Sequence, residues 1–272
     1  MPRDLRDVLD YLLPLKEGGT PPQSSTRMAS PPADFVPGPG PARPAALSIV
    51  AIPIGDRDVV RAAFAWNLSV EVARLGASGT LVAPEEDEPS LLWPEPGRGP
   101  VGSEVVIAPA NNLGDLYRVA LDVAVDRAAD PAGGVVLVRV PPAWLRVESD
   151  GRALLRWVLL FGSLEPRDLL ETYALAKRVL RASHRTRLGI TIHGVRRVSE
   201  AQEAFSLLSG VASRHLGQPL VSYGLLVDDL HVYRAIVSRR PVGLEHPQSR
   251  ASRALRDVAR LLLEDSRSAA VV

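Results

Sequence analysis

The stretch LSIVAIPIGDRDVVRAAFAWNLSVEVARLG, residues 47–76, decides the fold. It opens on a β-branched apolar run at 47–52, which reads as a strand buried on both faces. The polar turn Gly55-Asp56-Arg57-Asp58 breaks that run, and a helical pattern over 58–75 follows and stops at Gly76. Strand, turn and helix in this order make the first half of a βαβ unit, and the alternation continues outward along the chain. Further strands are predicted at 80–83, 105–108, 135–140, 158–161, 188–192 and 220–225. Helices are predicted at 112–128, 166–182, 198–214, 229–237 and 249–264. Apolar strands joined by helical crossovers specify an α/β fold: a doubly wound, mostly parallel sheet with helices on both faces. The segment 84–103, with Glu85, Glu86, Asp87, Glu88 and several prolines, reads as an exposed loop.

Upstream of that domain the character of the chain changes twice. Residues 1–17 carry Leu5, Val8, Leu9, Leu12 and Leu13, spaced to form one apolar face of a short helix. Asp4, Asp7 and Asp10 sit toward its start, where the helix dipole favours negative charge. A helix of about three turns is marginal alone in water, so it must dock on its own domain or on a partner. Residues 18–46 are rich in Pro, Gly, Ser and Ala and read as a semi-extended, disordered tether. The α/β domain then spans 47–265, with a short tail at 266–272.

Composition narrows the function classes. The 272 residues are 46% hydrophobic and 23% charged, ordinary for a globular chain with a sizeable core. A formal net charge of +1 gives no general attraction for nucleic acid, and a nucleic-acid partner is not expected. The absence of cysteine removes disulfides and thiolate-bound zinc. The histidines at 184, 193, 215, 231 and 246 show no metal-ligand spacing, and Phe161-Gly162-Ser163 does not continue into a nucleophile elbow. No run is long and apolar enough for a membrane span, and the first residues are too charged for a signal peptide, so the cytoplasm is the expected location. Only two lysines are present, Lys16 and Lys177, which limits amine chemistry. Asp228 and Asp229 read as caps for the helix at 229–237. Arg250, Arg253, Arg256 and Arg260 line one face of the last helix, read as a solvated face in preference to a contact for acidic lipid or a partner.

Residues 47–76 resemble the opening of MinD/ParA-type ATPases, where a strand, a deviant Walker A loop and a helix with an asparagine follow each other. GGVVLVRVPPAW (133–144) resembles that family's Walker B strand and Pro-Pro turn. LLFGSLEPRDLLETYALAKRVLR (159–181) resembles its next strand, Glu-Pro turn and helix, and residues 188–262 resemble the C-terminal half of the MinD-like regulators of flagellar number and placement. The resemblance implies a P-loop-type α/β fold, yet the family's functional positions are altered one after another. Aligned from Asn67, the phosphate loop reads Gly55, Asp56, Arg57, Asp58, Val59, Val60, Arg61, Ala62, keeping only the first glycine and a valine. A phosphate loop needs small residues to turn backbone N–H groups inward, a lysine as counter-charge and a hydroxyl toward Mg²⁺. Here Arg57, Asp58 and Val60 replace glycines, Asp56 takes the place of the signature lysine, Arg61 that of the loop lysine, and Ala62 offers no oxygen to a metal. The aspartate after the second strand falls on Ala83, the Walker B aspartate on Arg139, and the base-reading asparagine on His193.

From this follows the expectation of a non-catalytic, degenerate ATPase relative with no cofactor and no metal, acting as a scaffold or adaptor in the spatial organisation of a bacterial cell. Its partner is expected to be a protein: an active ATPase or GTPase, or a component of motility, secretion or polarity. Leu5, Val8, Leu9, Leu12 and Leu13 are the candidate anchors, and a monomer is the default because the family's dimer needs nucleotide, with a constitutive dimer as the alternative. Two alternatives remain open: an unorthodox nucleotide site using Arg61, and a ParA-like DNA-associated factor.

Overall fold

In the computed structural model, which describes residues 46–85, 90–146 and 150–269, β1 (Ser48–Pro53) lies in the interior of an eight-stranded sheet. The predicted N-terminal helix, its anchors Leu5, Val8, Leu9, Leu12 and Leu13, and residues 18–45 of the tether lie outside the described residues. The other strands are β2 (Ser78–Pro84), β3 (Gly97–Arg98), β4 (Glu104–Ala108), β5 (Gly134–Val140), β6 (Trp157–Gly162), β7 (Arg187–Val195) and β8 (Val221–Val227). Their order is β3-β4-β2-β5-β1-β6-β7-β8, and every pairing is parallel except β3 with β4. Every residue of β5 and β6 is buried, which explains their unbroken apolar sequences: both faces of the sheet are covered by helices. Each fully buried Val, Leu or Ile contributes about 1.5–3 kcal/mol relative to exposure.

The helices are α1 (Val59–Arg74), α2 (Leu113–Arg127), α3 (Pro166–Ala182), α4 (Val198–Leu216), α5 (Leu230–Ser238), α6 (Val242–Glu245) and α7 (Arg250–Ala269). Right-handed crossovers put α1 on one face and α2, α3 and α4 on the other, because the chain moves in opposite directions across the sheet. The last helix, α7, packs beside α1. Helix and sheet approach closely at Gly79, where a Cβ would stand 2.1 Å from the Ser69 carbonyl oxygen of α1. The buried Asn67 donates to the Ala63 carbonyl and accepts from the Val242 backbone N–H at 2.8 Å, tying α1 to the first residue of α6. Asp229 caps α5, accepting from the His231 N–H at 3.0 Å, while Asp228 accepts from Arg196 and Tyr233.

Several boundaries differ from the sequence reading. The segment read as a plain loop at 84–103 contains β3, which pairs antiparallel with β4, and a 3-10 turn at Pro100–Gly102. The last helix continues to Ala269, so residues 266–269 of the predicted tail are helical. No glycine or proline stops it, and Asp265 is held inside by Tyr223 and Arg187 at 2.6 Å each. Its arginine face is not wholly solvated either: Arg256 reaches the buried Glu71 at 3.3 Å, and Arg260 pairs with Asp257 at 2.9 Å. Among the described residues no helix is long and apolar enough to cross a membrane.

Candidate functional site

In an open α/β sheet, ligands bind beyond the carboxyl ends of the strands, near the strand where the crossovers change direction. Here that place is the end of β1, flanked by β5 and β6. The Ile54 N–H donates to the Val140 carbonyl at 3.1 Å, fixing the exit of β1 against β5. Gly55, Asp56 and Arg57 form the turn, and Asp58 is the N-cap of α1.

Four backbone donors at the start of α1 are satisfied from within. Asp58 N–H donates to the Gly55 carbonyl (3.0 Å), Val59 N–H to that of Arg57 (3.1 Å) and Ala62 N–H to that of Asp58 (3.1 Å). Arg61 N–H donates to the Asp58 carboxylate at 3.0 Å. No residue from Ile54 to Ala62 adopts positive φ. An anion nest needs successive N–H groups converging outward on an empty concavity, and at Asp58, Val59, Arg61 and Ala62 the chain supplies its own acceptors instead. Val59 and Val60 are half-buried, Ala62 is buried, and Arg57 is exposed.

Two buried arginines close the crevice. Arg61 pairs with Asp58 at 2.9 Å, with Asp168 in the first turn of α3, and with Glu171 at 3.5 Å. It thereby joins the amino ends of α1 and α3, where carboxylates are favoured by both dipoles. Arg139 of β5 is only 2% exposed; its Nη2 donates to Asp56 at 3.1 Å and its guanidinium lies 4.0 Å from the Trp93 ring centroid. At the end of β7 the His193 ring packs against Phe64, with centroids 5.6 Å apart, and its Nε2 lies 3.3 Å from Asp168. Burial chiefly, and the Arg61 charge next, push the His193 pKa down to about 4 against an opposing pull from Asp58, so the ring is neutral at pH 7. The carboxylates of Asp56, Asp58, Asp168 and Glu171 outnumber the guanidiniums of Arg57, Arg61 and Arg139, a balance hostile to a polyphosphate.

The sequence-predicted positions Gly55 through Ala62, Arg139 and His193 are thus brought to one rim of the sheet, and Ala83, buried near the end of β2, lines a cavity there with Arg139 and Trp93. Sequence reasoning missed Asp168, Glu171 and Trp93. Asp168 and Glu171 follow a Glu-Pro helix start and could be read only as ordinary first-turn acids, and Trp93 lies in a segment with no periodic signal. Among the described residues no group of three or more His, Asp or Glu is placed to hold a metal ion.

Sheet order and crevice define a P-loop NTPase-like α/β class. Within it the fold is that of the MinD/ParA proteins. MinD from Aquifex aeolicus superposes with a TM-score of 0.58 at 12% identity, covering 80% of this chain and 97% of that one. The MinC:MinD complex from the same organism gives 0.56 at 12% identity, over 80% and 96%. MinD complexed with Mg-ADP from Pyrococcus horikoshii OT3 gives 0.55 at 14% identity, over 79% and 95%. At these identities the likeness establishes the fold. No protein-family model matches the chain, and no curated protein matches it by sequence.

Proposed function

We propose that this chain is a non-catalytic MinD/ParA-fold protein, a scaffold or adaptor that holds a protein partner in the spatial organisation of a bacterial cell. One observation carries the reading: the amino end of α1, where the fold offers an anion its place, holds the chain's own Asp58 carboxylate, locked by the Arg61 N–H and guanidinium. A nucleotide entering there has to displace a carboxylate that is covalently part of the site and break a network anchored on Asp168. The arginine at the end of β5 adds a positive charge where magnesium would need an acid. Phosphoryl transfer depends almost wholly on placed charges, and these are placed against it. The MinD of the MinC:MinD complex offers the precedent of this fold engaging a second protein.

The test is a thermal melt of the full chain with ATP and Mg²⁺ alongside a phosphate-release assay. The expected outcome is an unmoved midpoint and phosphate release at the buffer level. A dose-dependent upward shift or turnover, either one abolished by Arg61→Ala, would overturn the reading in favour of an arginine-based nucleotide site.

A further inference from the structure

The helix layer formed by α2, α3 and α4 carries an apolar groove of about 600 Å³ between α3 and α4. Leu169, Leu170 and Tyr173 form one wall, and Leu207, Leu208 and Val211 the other. Leu170 is 71% exposed and Leu207 50%, a large apolar loss to water for two adjacent helices. Each wall repeats its side chains at a spacing of four, the ridge pattern that accepts a third helix.

We infer that the groove is the docking site of this chain's own segment 3–13, held there through Leu5, Leu9 and Leu12. This rests on the reading of residues 1–17 as a contact segment and adds where it rests in the absence of a partner. Three observations select this occupant. The segment's apolar residues recur at i, i+4 and i+7, one helical face of matching period. The preceding chain enters the domain on the groove's own side, since the Leu47 N–H donates to the Ala124 carbonyl of α2 at 2.9 Å. The chain between segment and domain also has the reach: the 29 residues 18–46 can span up to about 95 Å at full extension, against a radius of gyration of about 17 Å for a domain of this length. Linkage through a chain of that length sets an effective concentration on the order of millimolar, so a segment too weak to bind from solution is held on its own domain. The consequence is competition: a partner that takes the segment uncovers the groove, and a partner that takes the groove frees the segment.

The absence of native cysteine allows a direct test in the full-length chain. Leu9→Cys is combined with Leu207→Cys in the groove, or with Val237→Cys, a 72% exposed site on α5. Both pairs are treated with a short bismaleimide at several dilutions. The expected result is an intrachain product in the groove pair, independent of dilution and formed about tenfold faster than in the Val237 pair, and slowed to the Val237 rate by adding Leu5→Asp and Leu12→Asp. Equal rates in the two pairs, or a product found only as a covalent dimer, would overturn the inference, the second outcome naming another copy as the occupant. Because the readout involves no nucleotide, its failure is separable from failure of the pseudo-ATPase reading.

Discussion

Arg61 meets three carboxylates from two helices, and the neighbouring imidazole has to live with the resulting field. His193 is desolvated beside a guanidinium, so its folded-state pKa of about 4 lies below the ordinary 6.5. The folded protein therefore binds fewer protons than the unfolded chain between those values. Stability from this group is intact above pH 6.5 and is lost as pH falls through 4, to a full extent of about 3 kcal/mol. Urea denaturation at pH 7 and pH 4.5 should show His193→Gln losing less stability on acidification than the parent; equal losses would place the titration elsewhere. The Arg61–Asp58 pairing was legible in the sequence, because residues three apart at a helix start face each other. Asp168 was not, for it lies 107 positions away from Arg61, and only the placing of β6 next to β1 brings the amino ends of α3 and α1 together at the strand ends.

At the scale of elements, the glycines divide into those the packing requires and those it does not. Gly79 of β2 faces the Ser69 carbonyl, a backbone atom that cannot swing aside, so Gly79→Ala should push α1 off the sheet and cost about 1–3 kcal/mol in chemical denaturation. Gly55 is the contrast. An added Cβ there meets nothing within 4 Å and its φ is not positive, so Gly55→Ala should change stability by less than about 0.5 kcal/mol. A large loss at Gly55 would mean that the β1–α1 turn still needs the freedom of a phosphate loop. All the long elements were readable from periodicity, because burial on both faces leaves unbroken apolar strands and one-sided burial leaves helical stripes. The one-turn α6, the two-residue β3 and the 3-10 segments at Trp144–Arg146 and Asp150–Arg156 were not, since the helical ones fall short of the roughly 11–18 residues over which a helical period is read, and β3 of the roughly 4–8 of an alternating strand.

For the whole molecule, positive and negative charge nearly cancel at +1, and several arginines are matched to acids such as Glu71, Asp257 and Asp265. Association with duplex DNA driven by counterion release needs several free cations on one face. The chain should accordingly pass unretained through a duplex-DNA column at physiological salt, and retention that weakens steeply with added salt would restore the ParA-like alternative. The other consequence of the architecture lies at the rim. Beyond β4 the sheet ends in β3, two exposed residues running the opposite way, Gly97 and Arg98. So brief an outer strand, bearing a charge and a glycine, gives a stranger's backbone almost nothing to register upon. Two copies meeting at this rim would slide past one another without zipping edge to edge there.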